Sequence, residues 1–308
     1  MAKAPTFDKT DINIIRMLLR DCRVSYRSIG ASVGLSKNAA KTRVDKMVST
    51  GVINAFVMSV NPAVFGYHKI CHLIIRDSKT MGETLSRLRL LGEPLTKLDC
   101  IGGISLIIVA IREREEERVS LLADALKPAI IKSCIVGRYP PVRQELRETD
   151  FAILKCLMAS PRMGISEIAK RVAVSSKTVS SRLAKMKENR IMDFRIYTDP
   201  TKMQGYVRFG MVIRLEGKNS QKASRQIHEE LEKNFVMAFP MVIQQDVVTW
   251  QLIARSMFDI DPALKRIESL DGVKGVEVFI PFRAETYQDW MLKEIDDRIK
   301  HGRNDLLV

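Results

Sequence analysis

The sequence has few of the features from which membrane spans, disulfide frameworks and metal sites are built. None of its apolar runs reaches the roughly 18 residues that cross a bilayer, and the stretch MAKAPTFDKT lacks the apolar segment of a secretory signal. Its five cysteines are odd in number and show no CxxC spacing, which indicates reduced thiols in a cytoplasmic protein. Its four histidines form no ligand pair on a helix, so we expect neither a metal site nor a cofactor.

Positive charge is what the chain has in excess. It carries 50 Lys and Arg against 36 Asp and Glu, a formal net charge of +14 over 308 residues. Such a surplus favours a polyanionic partner, with nucleic acid ahead of a membrane surface, although solubility alone would also account for it. Because 46% of the residues are apolar, the chain is able to bury two or more cores.

An internal repeat divides the chain into two units. A shift of 139 residues places Asp11 on Asp150 and Ser36 on Ser175. The shift also superposes residues of helix cores and basic positions: Ile14 on Ile153, Leu18 on Leu157, Arg23 on Arg162, Ile29 on Ile168, Arg43 on Arg182, Lys46 on Lys185 and Met47 on Met186. Since capping, core and basic positions all recur, one unit of about 140 residues is duplicated.

Each unit opens with the pattern of a helix-turn-helix. In the first unit, residues 11–20 form an amphipathic helix for which Thr10 or Asp11 is the expected cap. Ser25 and Ser36 are placed to cap two further helices, with Gly34 making the turn between them.

The second of these helices carries its apolar residues on one stripe. Ala40, Val44 and Met47 lie on that stripe, and Gly51 ends the helix. The β-branched run at 52–60 is expected to form a wing hairpin, as is 192–198 in the second unit.

A ferredoxin-like block is predicted behind each helix-turn-helix. In the first unit we expect strands at 69–76, 95–103, 104–112 and 131–139 with helices at 80–92 and 113–126, which is the order βαββαβ. The second unit is expected to repeat it, with strands at 206–215, 235–244, 247–255 and 273–280 and helices at 219–234 and 260–270. A helix at 284–300 is added at the end.

The fold class expected from this order is α+β, with two winged helix-turn-helix domains alternating with two ferredoxin-like domains. The expected boundaries are 1–66 and 143–205 for the DNA-binding domains, 67–142 and 206–283 for the ferredoxin-like domains, and 284–308 for the C-terminal helix and tail.

The outer face of each second helix predicts contact with double-stranded DNA. Lys and Arg neutralise phosphates, and short Ser, Thr and Asn side chains can approach base edges in the major groove. A solvated helix face would also be polar, but it does not explain why basic residues recur beside matching caps. The predicted DNA-binding residues are Ser36, Lys37, Asn38, Lys41, Thr42, Arg43 and Lys46 in the first unit, and Ser175, Ser176, Lys177, Ser180, Ser181, Arg182 and Lys185 in the second.

These residues resemble the Lrp/AsnC (feast/famine) transcriptional regulators. The resemblance rests on the opening D-x-x-I-I-x-x-L-x-x-D-x-R at 11–23, the R-V-x-K-M run at 43–47, G-V-I at 51–53 and the closing N-P…G-Y at 61–67. It covers nearly the whole chain but is weaker in the second unit, and two fused units are unusual for the family. It implies a cytoplasmic, nucleoid-associated regulator whose ferredoxin-like sheets pair across subunits.

The resemblance also implies a small effector, often an amino acid, at the turn between the second and third strands of the ferredoxin-like domain. Here that turn is formed by Gly102 and Gly103, and Ser105 occupies the place where an Asp is expected. A plain hairpin turn would use the same glycines. Gly102, Gly103 and Ser105 are therefore the candidate effector-binding residues.

Three further alternatives stay open. Residues 246–250 faintly resemble the third-strand motif of sirohaem decarboxylases, although the Tyr, Asn and His that accompany that motif are missing, and no catalytic constellation appears elsewhere. A non-specific architectural DNA-binding protein is the second. The third concerns assembly: the sheets pair either within the chain or between chains, and the added C-terminal helix favours a homodimer or larger homo-oligomer.

Overall fold

The two predicted units are both present in the computed structural model, which describes residues 8–76, 81–112, 130–139, 141–203, 205–217, 220–235, 237–243 and 247–304. The predicted α+β fold is confirmed. None of the helices in these ranges combines the length and apolarity that a membrane crossing requires.

The first unit follows the predicted order. Its elements are α1 (Lys9–Arg20), α2 (Tyr26–Val33), α3 (Lys37–Ser49), β1 (Ile53–Val60), β2 (Lys69–Arg76), α4 (Met81–Leu88), β3 (Glu93–Cys100), β4 (Ile104–Ile111) and β5 (Ile130–Arg138). The predicted helix at 113–126 lies outside the described residues. We call α1–α3 with β1 the first head.

The second unit repeats this order and extends it. Its elements are α5 (Glu148–Ala159), α6 (Ile165–Val172), α7 (Ser176–Glu188), β6 (Met192–Thr198), β7 (Val207–Leu215), α8 (Ser220–Asn234), β8 (Met237–Ile243), β9 (Val247–Ala254), α9 (Ile260–Glu268), β10 (Val273–Phe279), β11 (Pro281–Thr286) and α10 (Asp289–Asn304). We call α5–α7 with β6 the second head.

The first helix begins earlier than the sequence predicted. Asp8 is its cap: the Asp8 side chain accepts a hydrogen bond from Asp11 N at 2.9 Å, and the Asp11 carboxylate accepts one from Asp8 N at 3.2 Å. The prediction that Thr10 or Asp11 caps the helix was wrong, because this reciprocal capping box places both residues inside the first turn.

The expected wing hairpins are replaced by a ribbon between the units. Strand β1 pairs antiparallel with β6, with Phe56 opposite Ile196 and Met58 opposite Phe194. Neither strand forms a hairpin within its own unit, because each pairs with the equivalent strand of the other unit. The apolar residues of the two heads join in one core as a result.

The ferredoxin-like sheets pack against each other within the chain. The first sheet has the strand order β11-β3-β4-β2-β5 and the second has the order β10-β7-β9-β8. Ile74, Leu106 and Ile108 of the first sheet share a buried cluster with Val212 and Val247 of the second. The pairing that the family resemblance places between subunits is thus made inside one chain.

Strand β11 corrects a second prediction. Residues from 284 onward were expected to be helical, but Pro281–Thr286 form an edge strand beside β3 of the first sheet, and the helix starts at Asp289. The equivalent segment of the first unit, residues 142–147, forms no strand. The duplication is therefore not symmetric at the ends of its units.

Candidate nucleic-acid interface

The first recognition helix, α3, is held by its cap and its apolar stripe as predicted. Ser36 Oγ accepts a hydrogen bond from Ala39 N at 3.1 Å, and Gly34 adopts a left-handed φ of 70° at the turn. Ala40, Val44 and Met47 are buried. The opposite side of α3 is exposed, and it presents the predicted contact residues Ser36, Lys37, Asn38, Lys41, Thr42 and Lys46 to solvent.

The second recognition helix, α7, is built in the same way. Ser175 Oγ accepts from Thr178 N at 3.0 Å, and Val179 and Met186 are buried. Ala173 takes the left-handed turn, with φ 56°, where the first unit has Gly34. The exposed residues are Ser175, Ser176, Lys177, Ser180, Ser181 and Lys185, so all of the predicted contact residues except the arginine are open to solvent.

Arg43 and Arg182 are instead held in ion pairs with the first helix of their head. Arg43 Nη1 lies 2.8 Å from Asp8 Oδ2 and 2.9 Å from Asp11 Oδ1. Hydrogen bonds to these two carboxylates raise the pKa of Arg43. Arg182 Nη1 lies 2.8 Å from Asp150 Oδ2, whose side chain is fully buried. Both arginines therefore fasten a recognition helix to its neighbour.

The carboxylate of Asp8 responds to the same contact. Burial raises its pKa, but hydrogen bonds from Asp11 N and from Arg43 outweigh burial, and the pKa lies below its ordinary value. The ion pair thus favours the charged forms of both Asp8 and Arg43.

The two heads are clamped together by a reciprocal pair of arginines. Arg23 donates from Nη1 to Pro161 O at 2.6 Å and from Nη2 to Met163 O at 3.0 Å. Arg162 donates from Nη1 to Cys22 O at 2.9 Å and from Nη2 to Val24 O at 3.3 Å. Together with the β1–β6 ladder, these bonds set the relative position of α3 and α7.

A connector lies along the second recognition helix. Within residues 141–147, Val142 and Leu146 pack on the core of the heads, whereas Arg143 and Arg147 are exposed. Gln144 Oε1 accepts a hydrogen bond from Asn189 Nδ2 at 3.0 Å, which ties the connector to the end of α7. A cleft of about 640 Å³ lies between this connector and Ser181, Arg182, Lys185 and Asn189 of the second head.

The candidate effector turn lies in the first sheet, between β3 and β4. Gly102 and Gly103 are both left-handed, with φ 87° and 72°, and nothing lies within 4 Å of a Cβ built on either. Ser105 is buried, and its Oγ donates to Asp99 Oδ1 at 2.9 Å. An acid therefore stands beside Ser105 after all, supplied by the neighbouring strand.

Asp99 belongs to a small charged network. Lys97 Nζ lies 3.0 Å from Asp99 Oδ2 and 3.7 Å from Glu285 Oε1 of β11. Sequence reasoning missed both acids, because Asp99 meets Ser105 only through the β3–β4 register and Glu285 comes from the other unit.

Helix α10 fixes the second head to the first unit. Trp290 contacts the rings of Phe65 and Tyr67 with centroids 5.8 and 5.0 Å apart. Lys155 of α5 pairs with Asp296 at 2.6 Å. Trp290, Ile295 and Ile299 all pack in the core of the heads, so this helix docks within the chain.

Comparison with known proteins supports both parts of this architecture. A winged helix-turn-helix DNA-binding family matches residues 7–54 and 146–191, the regions of the two heads. The HTH-type transcriptional regulator Ptr1 of Methanocaldococcus jannaschii is 31% identical over 132 residues, which cover 42% of this chain and 88% of that protein. The regulatory protein AsnC of Haemophilus influenzae is 24% identical over 122 residues, 39% of this chain and 81% of that one.

A solved structure shares the tandem arrangement. The siroheme decarboxylase NirDL superposes with a TM-score of 0.55, covering 98% of this chain and 100% of that chain at 15% identity. At that sequence identity the superposition shows only a shared fold, in which two heads and two sheets follow the same order along the chain.

Proposed function

Since this chain belongs to the Lrp/AsnC family of winged helix-turn-helix transcriptional regulators, we propose that one chain binds a single DNA operator with two unlike recognition helices. Each helix would enter the major groove of one half-site. The exposed and differing faces of α3 and α7 carry the proposal.

The two faces offer different chemistry to base edges. Lys37 and Asn38 near the start of α3 correspond to Ser176 and Lys177 of α7. An Asn amide is able to make two hydrogen bonds to adenine, whereas Lys prefers the acceptors of guanine. A composite operator with two dissimilar halves therefore suits the chain better than a palindrome does.

A single chain supplies both halves of the binding unit. The sheets pack on each other, the wings form one ribbon, and the arginine clamp joins the heads. The unit that two subunits make elsewhere in the family is complete in one copy, so the expected homodimer would carry four heads and a larger assembly would carry more. Light scattering on the protein–operator complex counts the chains.

Selection of bound fragments from random DNA tests the proposal. We expect a non-palindromic consensus with half-sites about 10 bp, or a multiple of that, apart, and a specificity ratio of about a thousandfold at fixed salt. Asn38→Ala should relax one half-site and Lys177→Ala the other, while Lys222→Ala on α8 serves as a control away from both heads. Equal affinity for all sequences would favour an architectural DNA-binding protein instead.

We further propose that the turn around Gly102 and Gly103 binds a small effector with an ammonium group. Ser105 with Asp99 offers a hydroxyl and a carboxylate, and open space surrounds both glycines. Lys97 partly neutralises Asp99, so an effector ammonium has to compete with it. Calorimetric titration with amino acids, repeated on Asp99→Asn, tests this site; equal heats for both proteins would argue against it.

We propose a regulator rather than an enzyme, despite the shared fold with a decarboxylase. The relatives that match by sequence are named as transcriptional regulators. In the stretch that resembles the decarboxylase motif, Val248 and Trp250 are packed in the core of the second sheet. Mixing the protein with an iron tetrapyrrole and scanning absorbance tests this: a shifted, saturable spectrum would favour the enzyme. With DNA as its partner, the chain would act in the cytoplasm, on the nucleoid.

A further inference from the structure

The two heads differ in charge at equivalent positions. Position 8 is Asp in the first head, and its counterpart 139 residues later is Arg147. Asp45 on the outer face of α3 pairs with Lys41 at 2.6 Å, and its counterpart on α7 is Ala184. The counterpart of Lys41 is Ser180, so the second head lacks this ion pair altogether, and it carries a cation where the first head has the acid Asp8.

This exchange changes the surroundings of the ion pair that recurs in both heads. Arg43 of the first head is shared by two carboxylates, Asp8 and Asp11. Arg182 of the second head meets only Asp150, because Arg147 stands in the place of Asp8. Where the first head places the Asp8 carboxylate beside Arg43, the second head has a further cation, Arg147.

The connector collects that charge in one place. Arg143 and Arg147 face outward from it, and Lys185 borders the same cleft from α7. None of these three forms an ion pair with another residue of the described ranges. Glu145 is the one acid lining this cleft.

We propose that Arg143, Arg147 and Lys185 bind a backbone phosphate of the DNA alongside α7, so that the second head anchors the duplex and the first head contributes less to phosphate binding. This inference rests on the proposed function. The chemistry is that of a phosphate oxygen with two guanidinium groups and an ammonium, and the source is the DNA backbone because the cleft borders Ser181 of the recognition face.

The most informative variant copies the first head into the second. Arg147→Asp places an acid at the N-cap of α5, where Asp8 caps α1, and offers Arg182 the second carboxylate that Arg43 already has. Capping favours Asp at that position, so the fold is expected to be retained while the phosphate site is lost. Lys222→Asp, an exposed lysine of α8 on the second sheet, makes the same change in net charge as the control.

The measurement is the affinity for the selected operator at KCl concentrations from about 50 to about 300 mM, over which added salt weakens phosphate contacts. The slope of log affinity against log salt should flatten by about 0.9 for Arg147→Asp, since one phosphate contributes roughly that amount, and Arg143→Ala should flatten it in the same direction. Lys222→Asp should leave the slope unchanged.

Two outcomes would overturn the inference. An unchanged slope in the connector variants, with Lys177→Ala still flattening it, would remove the connector from the interface and leave the proposed function standing. Saturable binding of inorganic phosphate that Arg147→Asp abolishes, without any change in the DNA slope, would assign the cleft to a free anion. Absence of salt-sensitive operator binding in the unaltered protein would instead count against the proposed function itself.

Discussion

Arg23 and Arg162 occupy equivalent positions in the two units, and each donates two hydrogen bonds to main-chain carbonyls of the other head. Each guanidinium also stacks on a wing residue: Arg23 on Phe194 at 5.3 Å and Arg162 on Phe56 at 5.1 Å. Burial, together with the like charge of Arg162, lowers the pKa of Arg23, and the nearby Asp21 acts in the opposite direction. The four charge-assisted hydrogen bonds and the two stacking contacts offset this repulsion.

Replacing one member of this pair should loosen the junction of the heads. Arg23→Ala removes two charge-assisted hydrogen bonds and a stacking contact, and we expect it to lower the free energy of unfolding by about 2–4 kcal/mol. Arg23→Lys should recover little, since an ammonium cannot span two carbonyls as the planar guanidinium does. Urea unfolding measures the effect.

The double variant shows whether the two arginines act together across the junction of the heads or whether each stabilises only its own surroundings. If the clamp works as a unit, Arg23→Ala with Arg162→Ala should cost less than the sum of the single losses. Strictly additive losses of unfolding free energy would indicate that the two arginines act independently. Operator variants with 1 bp inserted between half-sites should be tolerated better by the clamp variants than by the unaltered protein.

The turn of the second head carries a removable backbone strain. Ala173 adopts φ 56° and ψ 43°, a left-handed conformation that costs a residue with a Cβ about 1–2 kcal/mol. Ala173→Gly should therefore stabilise the protein by about 0.5–1 kcal/mol after the greater freedom of glycine in the unfolded chain is included.

Gly34 provides the reverse experiment. Its φ is 70°, and a Cβ built there meets nothing within 4 Å, so Gly34→Ala tests the backbone alone. We expect it to destabilise the protein by about 1 kcal/mol. Equal and negligible shifts of the melting temperature in both variants would show that the turns are not strained.

The sequence was sufficient to predict what local chemistry decides. Ser25 and Ser36 cap their helices as expected because a cap depends on residues three positions away. The buried stripe of α3 follows from helical periodicity alone. The recurrence of both patterns then identified two heads before any tertiary contact was known.

Contacts between the units were less accessible. The partner of β1 lies in β6, more than a hundred residues away, and an alternating strand does not reveal whether it pairs in a hairpin or across units. Residues 284–286 of strand β11 were assigned to a helix because so short an edge strand cannot be distinguished by its pattern from the first turn of an amphipathic helix. The Asp99–Ser105 contact depends on strand register in the same way.

His72 should make the fold sensitive to acid. The side chain lies within the first sheet, is 3% exposed, and neither ring nitrogen has a hydrogen-bond partner among the described residues. Burial lowers its pKa from 6.5 to about 4. The proton is then taken up mainly on unfolding, so the free energy of unfolding falls as pH drops from 6.5 to about 4, by about 3 kcal/mol in total.

His72→Leu isolates this contribution from that of the carboxylates. The variant should be at least as stable at pH 7, because it buries no unpaired ring nitrogen, and it should lose less stability between pH 7 and 4.5 than the unaltered protein. Parallel pH profiles for the two proteins would contradict the assignment.

The docking of α10 should be measurable at its aromatic end. Trp290→Ala removes edge-on contacts with Phe65 and Tyr67, and we expect a loss of about 3 kcal/mol in unfolding free energy. Phe258→Ala is the matched control, since that ring is 89% exposed and its loss should change stability by less than about 0.5 kcal/mol. Similar effects of both substitutions would mean that α10 is not held by this contact.

Arg182 and Lys177 lie on the same recognition helix, but replacing each with alanine should have different effects on stability and on DNA binding. Arg182→Ala leaves the fully buried Asp150 carboxylate without its cation, which we expect to cost about 2–3 kcal/mol of stability, somewhat reduced because Arg182 itself is 26% exposed. Lys177→Ala removes an exposed ammonium, so the melting temperature should hardly change while the salt slope of DNA binding flattens by about 1. Melting curves therefore have to accompany the binding data. Weak DNA binding by a destabilised Arg182→Ala protein would mean that Arg182 holds the recognition helix in place. An unchanged melting temperature in that variant would instead indicate that Arg182 contacts DNA directly.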